Sequence, residues 1–116
     1  MVGRLSVRLH DILDNIAIID SAVSQKTFDQ FLADPILRLA IERGIEIISE
    51  ATRHIPVDVT DHYPAIPWRN IKAIGNVLRH DYQRIDPDIV WKIATVQLAE
   101  LAPIVRGILA EIGSPS

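Results

Sequence analysis

The stretch Leu5–Val23, LSVRLHDILDNIAIIDSAV, decides the fold class. Its apolar residues Leu5, Leu9, Ile12, Ile16, Ile19 and Val23 recur at alternating steps of four and three. That spacing keeps them on one stripe of an α-helix, whereas the two-residue period of a strand would scatter them over both faces. Arg8, Asp11, Asp14 and Asn15 fall between them, as an amphipathic helix requires. The pattern predicts a helix that fades at Ser24–Lys26.

The rest of the chain reads the same way. Thr27-Phe28-Asp29-Gln30 is a capping-box pattern opening a short helix with Phe28, Phe31 and Leu32. Asp34-Pro35 is a second start signal, with aspartate as N-cap and proline in the first turn. The helix after it should run to about His54 and bury Leu37, Ala40 or Ile41, Gly44, Ile47 or Ile48, and Ala51. Gly44 costs a helix about 1 kcal/mol relative to alanine, so a close helix approach is its expected reason. Residues 55–67 carry Pro56, Pro64 and Pro67 with no periodicity and read as a loop. Trp68 to about Tyr82 forms the third long helix. Asp86-Pro87 opens the last, with Val90, Ile93 or Ala94, Leu98, Leu101, Val105, Ile108 and Ile112 on its apolar side. Pro103 should kink or weaken that helix, and Ser114-Pro115-Ser116 should fray. The expected fold is all-α, an up-down four-helix bundle with one extra short helix, in one domain over residues 1–116.

Composition bounds the function. The chain has 116 residues, enough for a core without covalent staples. It has no cysteine, which excludes disulfide scaffolds, thiolate metal sites and cysteine nucleophiles. The N-terminal MVGRLSVRLHD lacks the apolar core of a signal peptide, and no uninterrupted apolar run nears the roughly 18 residues of a membrane span. A cytoplasmic location and no membrane partner are expected. The net charge of −3 argues against nucleic-acid binding through bulk charge.

That net charge is unevenly distributed. Residues 69–84 hold Arg69, Lys72, Arg79 and Arg84 against Asp81, a local +3 that leaves the remainder at −6. At about 100° per residue, Trp68, Ile71, Ile74, Leu78 and Tyr82 gather on one face of the third helix. Arg79, Lys72, Asn76, Arg69 and His80 line its flank. Asn76 and His80 are one turn apart and therefore neighbours. Histidine moves a proton near neutral pH and arginine holds phosphate with a planar fork of donors, so the stripe suits phosphate chemistry. The competing structural reading is a solvated basic face. Glu42, Glu46 and Glu50 read as an acidic ridge on the second long helix, and Trp68 and Trp91 as packing residues. His10, His54 and His62 lack metal-ligand spacing, so no metal and no cofactor are expected.

The segment Pro67–Tyr82, PWRNIKAIGNVLRHDY, with Ile85-Asp86 and Val90-Trp91 after it, resembles the HepT-like branch of the HEPN superfamily. Leu39–Ala51 resembles the second-helix signature of that branch, and the likeness extends over nearly the whole chain. The resemblance implies a small helical bundle that dimerises. It also implies a toxin ribonuclease that needs no metal, acts on RNA at a dimer cleft, and is neutralised by a minimal nucleotidyltransferase antitoxin. The family motif is Arg-Asn-x-x-x-His-x-Tyr, matched here by Asn76, His80 and Tyr82. Tyr82 falls at the tyrosine that the antitoxin AMPylates. Its competing structural role is to pack in the core with its hydroxyl exposed. The motif arginine is absent, replaced by Gly75.

Arg79 lies one turn beyond Gly75, and helical side chains lean toward the N-terminus, so its guanidinium can reach the space above Gly75. The resulting expectation assigns His80, Arg79 and Asn76 to catalysis and Arg69, Lys72 and Arg84 to RNA phosphate. Two alternatives stay open. One is an inactive HEPN module that binds a nucleotide or a nucleotidyltransferase partner, and the other is a scaffolding dimer.

Overall fold

A computed structural model of the chain describes residues 3–112, and at Tyr82 the backbone alone. The Ser114–Ser116 tail lies outside the described residues. In chain order the elements are α1 (Gly3–Val23), α2 (Phe28–Leu32), α3 (Pro35–Thr52), α4 (Val57–Thr60) and α5 (Trp68–Asp81). A 3₁₀ turn (Tyr82–Arg84), α6 (Pro87–Lys92), a π-helical segment (Ile93–Gln97) and α7 (Leu98–Ile112) follow. The fold is the expected all-α bundle, with α6 through α7 forming the fourth long helix.

The start signals act as their chemistry requires. Thr27 Oγ1 accepts from the Gln30 N–H at 3.1 Å while Gln30 Oε1 accepts from the Thr27 N–H at 2.8 Å, completing a reciprocal capping box. Asp34 Oδ1 accepts from the Leu37 N–H at 3.0 Å. Asp86 precedes α6 in extended conformation, but its side chain makes no cap bond. Two elements depart from expectation, the 55–67 loop and the last helix. Residues 55–67 contain α4, one turn in which Thr60 Oγ1 bonds back to the Val57 carbonyl. The third long helix ends at Asp81, close to the expected Tyr82, and continues as the 3₁₀ turn. The last helix runs through Pro103, and its irregularity lies upstream in the π segment. Ala99 and Pro103 are both exposed, so water can take the carbonyl that proline leaves unbonded.

The core follows the α1 stripe. Leu9, Ile12, Ile16, Ile19 and Val23 are all buried, facing Ile41, Ile45 and Ile48 of α3 and Leu101, Val105 and Ile108 of α7. On α3 the open choices resolve to Ile41 and Ile48, with Ala40 exposed and Ile47 half-buried. A Cβ on Gly44 would stand 2.8 Å from Ile19 Cδ1, so α1 and α3 do approach closely there. Phe28, Phe31 and Trp91 form an aromatic cluster that ties α2 to α6.

Helix α3 packs against α1 on one side and α5 on the other, while α7 packs on α1. Between α5 and the α6–π segment lies an apolar groove of about 310 Å³, floored by Ile45 and Ile48 of α3. The 26-residue run Pro87–Ile112 is long and apolar enough to cross a membrane by length and composition alone. Its buried stripe, Val90, Ala94, Leu98, Leu101, Val105 and Ile108, belongs to the bundle core.

Candidate active site

Helix α5 owes its position to three buried residues, Trp68, Gly75 and Leu78. The indole N–H of Trp68 donates to the Tyr63 carbonyl at 3.0 Å, anchoring the helix start to the preceding loop. Packing this face inward leaves Arg69, Asn76, Arg79 and His80 exposed and Lys72 half-buried. The stripe read from the sequence therefore spreads over an arc of about 100° on the solvent side of α5. Among the described residues, the side chains of Asn76, Arg79 and His80 make no hydrogen bond or ion pair. They are free to meet a ligand.

The stripe residues do not all face one way. Asn76 and His80 differ by about 40° around the axis, whereas Arg79 and His80 differ by about 100°. Arg79 overhangs a shallow groove of about 410 Å³ across the outer surface of α3, shared with Glu46 and Glu50 of α3 and Asp11 of α1. His80 projects from the adjoining flank, away from α3. Arg84, in the 3₁₀ turn, pairs with Asp81 at 3.1 Å on the surface. The Tyr82 side chain lies outside the described residues.

Gly75 stands where α5 packs closely on α3. Ser49 of α3, 2% exposed, accepts the Gly75 N–H on Oγ at 3.2 Å and donates to the Lys72 carbonyl at 3.1 Å. A Cβ at position 75 would lie 2.4 Å from Ser49 Oγ and 2.5 Å from Ser49 Cβ. No side chain, arginine included, fits there in this packing. Ser49 escaped the sequence reading. A mid-helix glycine signals a close approach, but not which of the other helices approaches.

Glu42, Glu46 and Glu50 do not form one solvated acidic ridge. Glu42 is buried, its carboxylate accepting from Arg38 Nε at 2.6 Å, and Arg38 Nη2 also donates to the Ile85 carbonyl at 3.2 Å. Glu46 is partly covered beside Arg43, and Glu50 alone is well exposed, beside His54. Residues four apart drift by about 40° per step, and that drift carries Glu42 beside the Gln83–Pro87 segment and Glu50 into solvent. The Arg38–Glu42 pair thus ties the start of α3 to the chain just after the Tyr82–Arg84 turn. Among the described residues, no group of three acidic or histidine side chains converges as a metal site would require.

Fold and site together define a class: a small HEPN-like helical domain whose third long helix displays histidine, asparagine and arginine to solvent. Comparison with known proteins narrows this. The profile described as ribonuclease HepT-like matches residues 12–108. A Methanocaldococcus jannaschii protein named as a putative RNase is 33% identical over 107 residues, covering 89% of this chain and 88% of its own. A Thermococcus cleftensis protein named as a probable ribonuclease HepT is 33% identical, covering 80% of this chain and 84% of its own. A Caldanaerobacter subterraneus protein, also named as a putative RNase, is 30% identical, covering 87% and 90%. No solved structure matches the chain significantly. The chain belongs to the ribonuclease HepT-like family.

Proposed function

We propose that this protein is a metal-independent endoribonuclease toxin whose chemistry is carried by α5. The observation that carries the reading is the solvent-facing set Asn76, Arg79 and His80 in a chain of this family. RNA brings its own nucleophile. In the proposed step the 2′-OH gives its proton to His80 as the O2′–P bond forms. The P–O5′ bond breaks, and the departing 5′ oxygen takes a proton from a second acid. The products are a 2′,3′-cyclic phosphate and a 5′-hydroxyl end. Arg79 stabilises the charge building on the phosphoryl oxygens, because its fixed fork of donors needs little reorganisation as charge develops. Asn76, one turn from His80, orients the imidazole or binds a phosphate oxygen. Arg69, Lys72 and Arg84 hold flanking phosphates. DNA lacks the 2′-OH and resists this route.

The proposed active unit is a homodimer. His80 and Arg79 leave α5 in directions about 100° apart, and a second copy supplies the complementary acid and cation across the cleft. A minimal nucleotidyltransferase antitoxin is the proposed partner, AMPylating Tyr82 in the cytoplasm. Tyr82 opens the turn that ends α5, two residues past His80. The test is RNA cleavage in EDTA by the wild type beside His80→Ala. Cleavage that is lost in the variant supports the enzyme, and intact RNA with both proteins refutes it. Mass spectrometry of protein co-expressed with a minimal nucleotidyltransferase should find an AMP adduct that Tyr82→Phe abolishes.

One observation favours a second reading, an inactive module that binds a nucleotide or the nucleotidyltransferase. Gly75 replaces the motif arginine, and the packing at Ser49 leaves no room for a side chain there. This reading predicts intact RNA alongside retained partner binding.

A further inference from the structure

We infer that Ser49 is a positioning residue for the α5 site. Its hydroxyl keys α5 to α3 in a register that only glycine at position 75 permits. The inference rests on the proposed role of α5 and reaches a residue outside the stripe itself.

The hydroxyl is used in both directions. Oγ accepts the Gly75 N–H at 3.2 Å and donates to the Lys72 carbonyl at 3.1 Å, so it grips one turn of α5 at both ends. Just past the end of α3, Arg53 Nη1 donates to the same Lys72 carbonyl at 3.4 Å. Ser49 is held in turn by its own helix, where the fully buried Thr52 donates to the Ser49 carbonyl at 2.7 Å. Serine and threonine hydroxyls inside helices usually bond back to their own helix. Ser49 instead reaches across residues 26 apart in sequence to a neighbouring backbone. The contact therefore fixes axial register and rotation as well as spacing.

The site depends on that register. Arg79 lies one turn beyond Gly75 on nearly the same face, directly past the contact. The groove it overhangs contains Glu46 and Glu50, which flank Ser49 on α3. A side chain at 75 would push α5 away from α3 and lift Arg79 off that groove. A glycine–serine contact here and an arginine there are thus one linked arrangement. Misplacement of catalytic groups by about 1 Å costs rate on the order of 100-fold, so loosening the contact should appear in turnover.

The test uses the full chain as wild type, Ser49→Ala, Gly75→Ala and the double variant Ser49→Gly/Gly75→Ala. Amide exchange over residues 72–80 reads the register without any need for activity. Single-turnover and steady-state cleavage of RNA read its consequence. Ser49→Ala should speed exchange there and lower kcat by about 10-fold or more, with KM within about two-fold. Gly75→Ala should lower the melting temperature. The double variant removes both clashing atoms and should recover the melting temperature while kcat stays low. Unchanged exchange in Ser49→Ala overturns the keying. Faster exchange with wild-type kcat overturns the positioning role. If the wild type cleaves no RNA while Ser49→Ala still speeds exchange, the ribonuclease reading falls and the keying of α5 stands.

Discussion

Replacing Arg79 by alanine separates the chemistry of α5 from its stability. Arg79 is exposed, and among the described residues its side chain holds no hydrogen bond or ion pair. Surface substitutions of this kind change stability by no more than about 0.5 kcal/mol, or about 2 °C in melting temperature for a chain of this size. Alanine is also the better helix former, so α5 keeps its geometry. A guanidinium aimed at charge developing on phosphorus is worth far more. Removing one preorganised donor of that kind costs about 10²–10³ in kcat, roughly 2.7–4 kcal/mol. Arg79→Ala should therefore melt like the wild type and cleave RNA about 100- to 1,000-fold more slowly. His80→Ala should fall by a comparable factor, since general acid–base catalysis contributes about 10²–10⁴. Arg79→Lys keeps the charge but loses the planar fork, so it should recover only part of the rate. The assay is single-turnover cleavage of end-labelled RNA in EDTA at saturating protein, paired with circular dichroism melts. The deficit must persist at saturation, because a residue that merely attracts RNA would raise KM and leave kcat alone. Wild-type cleavage by Arg79→Ala beside an inactive His80→Ala would refute the transfer of the arginine's role from position 75 to position 79.

Three further outcomes follow from the packing. Phe31 is fully buried with its ring 5.2 Å from that of Trp91, so Phe31→Ala should cost about 3–5 kcal/mol in urea unfolding. Glu42→Ala leaves Arg38 without its carboxylate. With the Glu42 side chain 7% exposed but that of Arg38 27% exposed, the loss should be about 2 kcal/mol, short of a fully buried pair, and a melt reads it. The Tyr63 hydroxyl donates to Glu111 at 3.3 Å, and its pKa is raised above the ordinary value first by burial and then by the Glu111 charge and hydrogen bond. The folded state thus holds this proton more tightly than the unfolded chain. That contribution is complete below about pH 10 and is lost as pH climbs through the raised value. Melts at rising alkaline pH should decline less steeply for Tyr63→Phe than for the wild type, and identical slopes would count against the shift.

The local architecture was legible from residue order. The α1 stripe, the Thr27–Gln30 capping box and the Asp34–Pro35 start each depend on residues within one or two turns of one another, and each appears in the fold. The cationic flank of α5 was legible for the same reason. Contacts between distant segments were not. Glu42, Glu46 and Glu50 share one spacing, yet only the first is buried, because it packs beside Arg38 and the Gln83–Pro87 segment that follows α5.

The sequence by itself determined the helical class, the helix starts and the angular order of Asn76, Arg79 and His80 around α5. Covalent geometry and 3.6 residues per turn set these before any two helices meet. Only the tertiary structure decided that Gly75 faces Ser49, that no side chain fits between them, and that Arg79 overhangs the outer surface of α3. Those facts depend on how closely two backbones approach, and close packing makes that distance a property of the whole bundle rather than of either helix.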